Sequence, residues 1–323
     1  GYNEPVSALD PATGRTLIEY KGTDYADEMV YREGVLYVSV NDRPQKPLPG
    51  RGLNSQPTKD NRSQKMIWAI EAVSGKVLWK AGPYTGVTAH SNRLKSQKTL
   101  LLVASEKGVF AAVDKNSMVG LDLDTGRERF RASVPMTGTT SLLYYRGTVL
   151  AGHRTLTALD ADTGEVKWIN IIGNLSGNLT SPEVIGMGDV VWTGNAKTME
   201  MTAYELATGK EAIKLSIKDV LANAGHHHRC YPNKSTAKYL ITGRRAAEFT
   251  DYETGEVTHH HWARGQCRYG TMPANGLLYK LPDPCRCYLE AKLLGFYALA
   301  AQTQTTDDSE KTRIRLEKGA AYG

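Results

Sequence analysis

A short turn motif recurs six times along this chain, and each copy joins two short apolar runs. The clearest copy is Leu159-Asp160-Ala161-Asp162-Thr163-Gly164, followed by a run that ends at Trp168. Asp accepts backbone hydrogen bonds inside a tight turn, and Gly adopts the positive φ that a reversal requires. Apolar and polar residues alternate on both sides, which gives each strand one buried face. The motif therefore predicts a β-hairpin, which needs further strands to be stable.

The spacing of the copies predicts how these hairpins assemble. The copies end at Gly14, Gly75, Gly126, Gly164, Gly209 and Gly255. They lie about 40 to 60 residues apart with two further strand-like runs between them, which is typical of a four-stranded propeller blade. Helical repeats are disfavoured because runs such as Val35–Val40 are short and rich in Val, Leu and Tyr. We predict an all-β protein, a β-propeller of four-stranded blades, with seven blades and with six or eight as alternatives.

The predicted first and last blades are incomplete. Residues 7–20 supply only the two outer strands of a first blade, and 266–300 supply three strands of the last. The blades between them are predicted at 28–81, 84–131, 133–169, 172–215 and 226–260. A Pro-rich and basic insert from Asn41 to Lys65 is expected to be a long loop inside the second blade. Residues 1–302 are thus assigned to the propeller and 303–323 to a polar tail or linker. Either the chain is a segment of a longer polypeptide, or the two partial blades merge.

The repeat resembles a known family. The pattern Leu-Asp-x-x-Thr-Gly-(Lys/Arg/Glu)-x-x-Trp at 159–168, with a variant at 70–79, resembles the PQQ-like β-propeller repeat. Quinoprotein dehydrogenases and scaffold lipoproteins of the outer-membrane assembly-factor B type share this repeat. The resemblance implies architecture over roughly 7–302 but no single function, because some members hold a quinone and others hold nothing. The cysteine-rich end, 226–299, also resembles the closing segment of large PQQ-like repeat proteins from planctomycete-type bacteria.

Bulk properties narrow the class of protein. The 323 residues suffice for one large all-β domain, and the formal charge of +6 is a modest basic excess that suits an anionic partner. The sequence has no apolar run of membrane-spanning length, so no transmembrane segment is predicted. Glycine-rich phosphate loops and nucleic-acid motifs are absent from it, so no nucleic-acid partner is expected.

Histidines and cysteines concentrate near the end of the chain. Six of the eight histidines form the triplets His226-His227-His228 and His259-His260-His261, and the four cysteines are Cys230, Cys267, Cys285 and Cys287. In a propeller, the connections between blades emerge on the same face as the loops between second and third strands. We therefore expect both triplets, Cys267, Cys285 and Cys287 to meet on one face over the last two blades.

That face also gathers arginines and tyrosines. The residues predicted to bind a ligand are Arg229, Tyr231, Arg244, Arg245, Arg268 and Tyr288. Clustered guanidinium groups repel one another unless anions intervene, and their planar forks suit carboxylate, sulfate or phosphate. The alternative is that these are solvated loop arginines.

The cysteines have two competing interpretations. In an oxidising compartment, Cys285 and Cys287 would each form a disulfide with Cys230 or Cys267, because the two lie too close together to pair comfortably. Alternatively the soft ligands form a metal site. Its ligands would be His227, His228, Cys230, Cys267, Cys285 and Cys287. The ion would be zinc, copper or calcium. PQQ is not expected, because quinoprotein alcohol dehydrogenases cover their quinone with two adjacent cysteines and this chain has Cys285-Arg286-Cys287 instead.

Catalysis is a further alternative. His226 and His228 could remove a proton, Tyr269 could protonate a leaving oxygen and Arg264 could neutralise a carboxylate, which is the equipment of an acidic-polysaccharide lyase. A quinone- or copper-dependent oxidoreductase is the other enzymatic alternative.

Our leading interpretation is a periplasmic or secreted propeller that binds an anionic or metal-bearing ligand over residues 226–290. Its expected partners are a polypeptide that supplies the missing blade strands and an anionic polysaccharide.

Overall fold

In the computed structural model, the described part of the chain consists of β-strands joined by turns and short connections. The described residues are 4–43, 64–87, 99–136, 140–173, 183–195, 200–216, 233–243, 247–266, 269–282 and 293–301. These ranges contain no helix. Accordingly, within them there is no helix with the length and apolar character needed to cross a membrane.

The described strands form seven antiparallel sheets, of which the first has two strands and the last has three. The first sheet holds β1 (Ser7–Leu9) and β2 (Thr16–Glu19), and the second holds β3 (Ala26–Arg32), β4 (Val35–Asn41), β5 (Lys65–Glu71) and β6 (Val77–Tyr84). The third sheet holds β7 (Leu101–Ser105), β8 (Gly108–Asp114), β9 (Ser117–Leu121) and β10 (Glu128–Ser133). The fourth holds β11 (Ser141–Tyr145), β12 (Thr148–Gly152), β13 (Thr155–Asp160) and β14 (Val166–Ile171). The fifth holds β15 (Val184–Met187), β16 (Val190–Asn195), β17 (Glu200–Glu205) and β18 (Glu211–Ser216). The sixth holds β19 (Lys234–Ser235), β20 (Tyr239–Thr242), β21 (Ala247–Asp251) and β22 (Val257–His260), and the seventh holds β23 (Thr271–Ala274), β24 (Leu277–Lys280) and β25 (Tyr297–Ala300).

The sheets pack face to face in chain order. Within each four-stranded sheet the strands lie side by side in sequence order, and the first strands β3, β7, β11 and β15 contact one another, as β19 contacts β23. Six hydrophobic clusters each join one sheet to the next. Between the third and fourth sheets, for example, the rings of Phe110 and Tyr144 stack with centroids 5.8 Å apart. This is propeller architecture, and it confirms the all-β fold of four-stranded blades.

The predicted turns adopt the expected geometry. Asp160 Oδ1 accepts hydrogen bonds from the backbone N–H groups of Asp162 at 2.9 Å and Thr163 at 3.1 Å. These bonds, that from Thr163 foremost, hold the pKa of the Asp160 carboxyl below its usual range. Gly164 has a φ of 77°, in the left-handed region that suits glycine. The turn therefore forms for the reason that the sequence predicted.

The same turns receive an aromatic ring from the preceding sheet. The Trp168 indole N–H on β14 donates to the Leu206 carbonyl at 2.9 Å, and its ring covers Gly209, where an added Cβ would lie 2.6 Å from the ring. Trp79 covers Gly126 in the same way. The turn glycine thus provides both a positive φ and the space for the neighbouring ring. The repeat motif therefore forms a hairpin within each sheet and also packs the Trp ring of one sheet against the turn of the next.

The strand order gives the molecule two distinct faces. We call the side with the Asp-x-x-Thr-Gly turns the turn face; there, Ala161 N–H donates to Gly147 O at 3.1 Å and so ties that turn to the neighbouring one. We call the opposite side the loop face. It holds the connections between sheets and the connections between the second and third strands of each sheet. The insert predicted from Asn41 to Lys65 is flanked by the end of β4 and the start of β5, and its residues 44–63 lie outside the described residues.

Candidate functional site

Most of the predicted site residues lie outside the described part of the chain. These are His226, His227, His228, Arg229, Cys230, Tyr231, Arg244, Arg245, Cys267, Arg268, Cys285, Cys287 and Tyr288. Residues 303–323, predicted as a tail, are outside it too. Arg264, Tyr269 and the triplet from His259 to His261 are described.

The described strand ends around these segments belong to the loop face of the fifth to seventh sheets. Residues 217–232 connect β18 to β19, 244–246 connect β20 to β21, 267–268 lie between β22 and β23, and 283–292 lie between β24 and β25. The Leu293 N–H donates to the Trp262 carbonyl at 2.9 Å and joins two of these connections directly. Lys280, whose side chain is fully buried, donates from Nζ to the carbonyls of Leu293 and Gly295 at 2.8 and 3.2 Å.

Arg264 and Tyr269 have opposite environments although they share one connection. Arg264 is only 1% exposed and follows Ala263, which packs in the cluster between the sixth and seventh sheets. Tyr269 is 63% exposed and lies in a turn just before β23, rather than inside the innermost strand. In that turn Gly270 N–H donates to Gln266 O at 2.7 Å. Tyr269 is thus accessible to a ligand in solution, whereas the Arg264 guanidinium lies inside the protein.

The second histidine triplet alternates between two environments. His260 lies edge-on to Phe249 and to Trp262, with ring centroids 5.5 and 5.7 Å away. His259 and His261 are exposed, with their rings 5.4 Å apart. Among the described residues, no group of three or more His, Cys, Asp or Glu side chains could hold a metal ion. His260 therefore has a packing role, and its two neighbours are the accessible imidazoles.

A second polar group, which sequence reasoning missed, lies between the second and third sheets. We call Asp27, Glu28, Ser39, Asn41 and Lys65 the lysine cluster. The Lys65 side chain is 0% exposed, and its Nζ donates to Asp27 Oδ2 at 2.6 Å and to Asn41 Oδ1. Asn41 Nδ2 in turn donates to the Tyr25 carbonyl at 2.6 Å. A buried ammonium needs such partners, because transfer of an unpaired charge out of water is very unfavourable.

The Glu28 carboxyl and the Ser39 hydroxyl complete the lysine cluster. Burial, with a smaller contribution from the Asp27 charge, raises the pKa of the Glu28 carboxyl to about 7. Ser39 pairs in register with Glu28 on one side and with Ile67 on the other, and it is 0% exposed. The sequence did indicate this cluster, because Asp27 and Glu28 lie near the start of β3 and Lys65 is the first residue of the apolar strand β5.

Comparison with known proteins identifies the family. Residues 63–226 match the sequence model of the family described as outer membrane protein assembly factor BamB. The chain belongs to this BamB family of PQQ-like repeats. No curated protein matches the chain in sequence. The computationally designed Ika8 protein is similar in structure, with a TM-score of 0.60, 13% identity, and coverage of 86% of this chain and 75% of that one.

Two natural structures are also similar. A chain of the mitotic checkpoint complex has a TM-score of 0.59 and 10% identity, with coverage of 92% of this chain and 82% of that one. BamB from Moraxella catarrhalis has a TM-score of 0.42 and 13% identity, with coverage of 77% and 76%. At these identities, structural likeness shows the fold alone. The BamB family match ends at residue 226, so it covers His226 but not the other residues of the candidate site.

Proposed function

We propose that this BamB-family propeller acts by binding, as part of a larger protein or assembly, and that its loop face over residues 226–290 takes an anionic or metal-bearing ligand. One observation carries the proposal. The connections that hold the predicted His, Arg and Cys residues adjoin strand ends on the loop face of the fifth to seventh sheets, where Tyr269 is 63% exposed. Arginines from neighbouring connections suit planar anions such as carboxylates.

A periplasmic or secreted location is part of the proposal. The family is named for an outer membrane protein assembly factor. Disulfides among Cys230, Cys267, Cys285 and Cys287 would need an oxidising compartment, which such a location provides.

Exposed features of the first and last sheets favour the binding of a partner polypeptide. Leu9 and Leu17 on the first sheet are 55% and 56% exposed, and β25 is the outer strand of a three-stranded sheet within the described residues. Exposed apolar faces and strand edges are the usual sites of further strand pairing. We propose that strands from the same precursor or from another subunit cover them.

Binding of alginate, an anionic polysaccharide of uronate units, tests the ligand class. We expect the double variant Arg244→Ala/Arg245→Ala to weaken alginate binding by about tenfold or more at low salt, because each charge-assisted hydrogen bond contributes about 1.5–3 kcal/mol. Isothermal titration calorimetry at two ionic strengths measures this. Arg127→Ala, an exposed arginine on the turn face, is the matched control and should leave the affinity unchanged. Absence of binding by the wild type, or an equal loss in the control, would contradict the proposal.

The same experiment addresses the enzymatic alternatives. The exposed phenol of Tyr269 favours an acidic-polysaccharide lyase that uses His226 and His228 over a quinone- or copper-dependent oxidoreductase, although Arg264, also predicted as catalytic, is buried away from such a substrate. A lyase releases unsaturated products that absorb ultraviolet light. Binding without such products supports the binding function.

A further inference from the structure

Trp262 is the most exposed of the five tryptophans in this protein. It is 45% exposed, whereas the other four are buried or half-buried, and Trp192 is 0% exposed. A single exposed apolar side chain is ordinary on a protein surface, so its meaning depends on where it lies and how it is held. The binding residues predicted from the sequence do not include Trp262, but its location and its contacts single it out.

Three connections of the loop face meet at Trp262. The residue itself lies on the connection between β22 and β23. The connection between β20 and β21 ends at Ala247, which pairs in register with His260 just before Trp262. The connection between β24 and β25 passes through Leu293, whose N–H donates to the Trp262 carbonyl at 2.9 Å. All three connections carry residues predicted to bind a ligand or a metal, so the indole lies at the centre of the candidate site.

A row of edge-to-face rings holds this part of the chain in place. Tyr239 on β20 lies edge-on to Phe249 on β21, with ring centroids 5.9 Å apart, and Phe249 lies edge-on to His260. His260 in turn lies edge-on to Trp262, with centroids 5.7 Å apart. Since Phe249 packs against the cluster between the sixth and seventh sheets, the row runs from that cluster to the accessible indole. A side chain that is already held in this way loses little conformational freedom when a ligand binds.

The side chains beside the indole suit a sugar acid. The face of an indole ring carries partial negative charge, and it attracts the weakly positive C–H groups on one face of a pyranose ring. His259 and His261 are exposed next to Trp262, and their ring N–H groups can donate to the carboxylate or hydroxyl groups of the same sugar. A phosphate or sulfate ion has no C–H face and would gain nothing from the indole.

We propose that Trp262 stacks against a sugar ring and that the anionic ligand of the loop face is a polysaccharide of uronate units. This inference rests on the proposed function and narrows its ligand to one chemical class. The pyranose ring covers the indole, and His259 and His261 donate to its polar groups. The arginines of the neighbouring connection, Arg244 and Arg245, pair with carboxylates of the adjoining units.

Binding of two polyanions to variants of the full chain tests the stacking. Alginate carries its carboxylates on pyranose rings, whereas polyglutamate carries carboxylates without such rings. We expect Trp262→Ala to weaken alginate binding about tenfold, and to change any polyglutamate binding by less than about twofold. Trp262→Phe keeps an aromatic face and should recover most of the alginate affinity. Ile171→Ala removes an 87% exposed apolar side chain from the fourth sheet, and as the matched control it should leave both affinities unchanged.

Acrylamide quenching of tryptophan fluorescence shows whether the sugar covers the indole itself. Because Trp262 is the most exposed tryptophan, most of the quenching should come from it and should be lost in Trp262→Phe. Alginate should protect the wild-type protein from the quencher, and polyglutamate should not.

The possible failures of the two proposals are distinct. Unchanged alginate affinity in Trp262→Ala, or an equal loss of affinity for both polyanions, would overturn the stacking and leave the binding function standing. Equal protection of the indole by polyglutamate would point to an acidic peptide and would also overturn it. Absence of alginate binding by the wild type would overturn both proposals.

Discussion

Replacement of Lys65 by Met is expected to lower the free energy of unfolding by about 3–5 kcal/mol. The Lys65 side chain is 0% exposed, and its ammonium is 2.6 Å from the carboxylate of Asp27, which is itself only 14% exposed. Met fills a similar volume, so the loss comes from removal of the ammonium that pairs with the Asp27 carboxylate inside the protein. Urea unfolding of the two proteins at neutral pH measures the difference.

Two further variants separate the charge effect from a packing effect. Adding Asp27→Asn to Lys65→Met removes the carboxylate charge that faced the ammonium and should restore most of the stability. Lys214→Met breaks an exposed pair with Glu200, at 3.6 Å, and should change stability by less than about 1 kcal/mol. If Lys65→Met is as mild as Lys214→Met, the buried pair does not hold the second sheet together.

Replacement of Trp168 by Ala is expected to destabilise the protein by about 3–5 kcal/mol. The ring is buried against Gly209 of the next sheet, and the indole N–H is paired with the Leu206 carbonyl, so the change leaves a cavity and an unpaired acceptor. Ile169→Ala is the matched control, because the neighbouring side chain on the same strand is 54% exposed. Its effect should stay near 0.5 kcal/mol. Denaturant midpoints compare the two, and equal effects would show that docking of the ring does not join the sheets.

Local chemistry explains why the fold was predictable. The Asp160 and Gly164 turn depends on residues within five positions of one another, so its hairpin could be read directly from the sequence. The predicted second blade at 28–81 corresponds to the sheet from Ala26 to Tyr84 for the same reason. The contact that Trp168 makes could not be predicted. Its position in the repeat was clear, but its partner lies about 40 residues further along the chain.

The site was less predictable because it depends on contacts between distant connections. Lys65 bonds to Asp27, which is 38 positions away in the sequence, through a strand register that no local pattern specifies. Arg264 was predicted to neutralise a substrate carboxylate, yet it is buried next to Ala263, which packs between the sixth and seventh sheets. Exposure of the next aromatic side chain, Tyr269, follows from a turn that the apolar pattern did not indicate.

Cysteine mapping measures whether the connections at the sixth and seventh sheets bring distant cysteines to one face. The native, unreduced protein should be digested and analysed by mass spectrometry, with metal content and free thiols measured on the same sample. We expect Cys285 and Cys287 each to be linked to Cys230 or Cys267, or all four cysteines to bind one metal ion. Four free thiols without bound metal would contradict it.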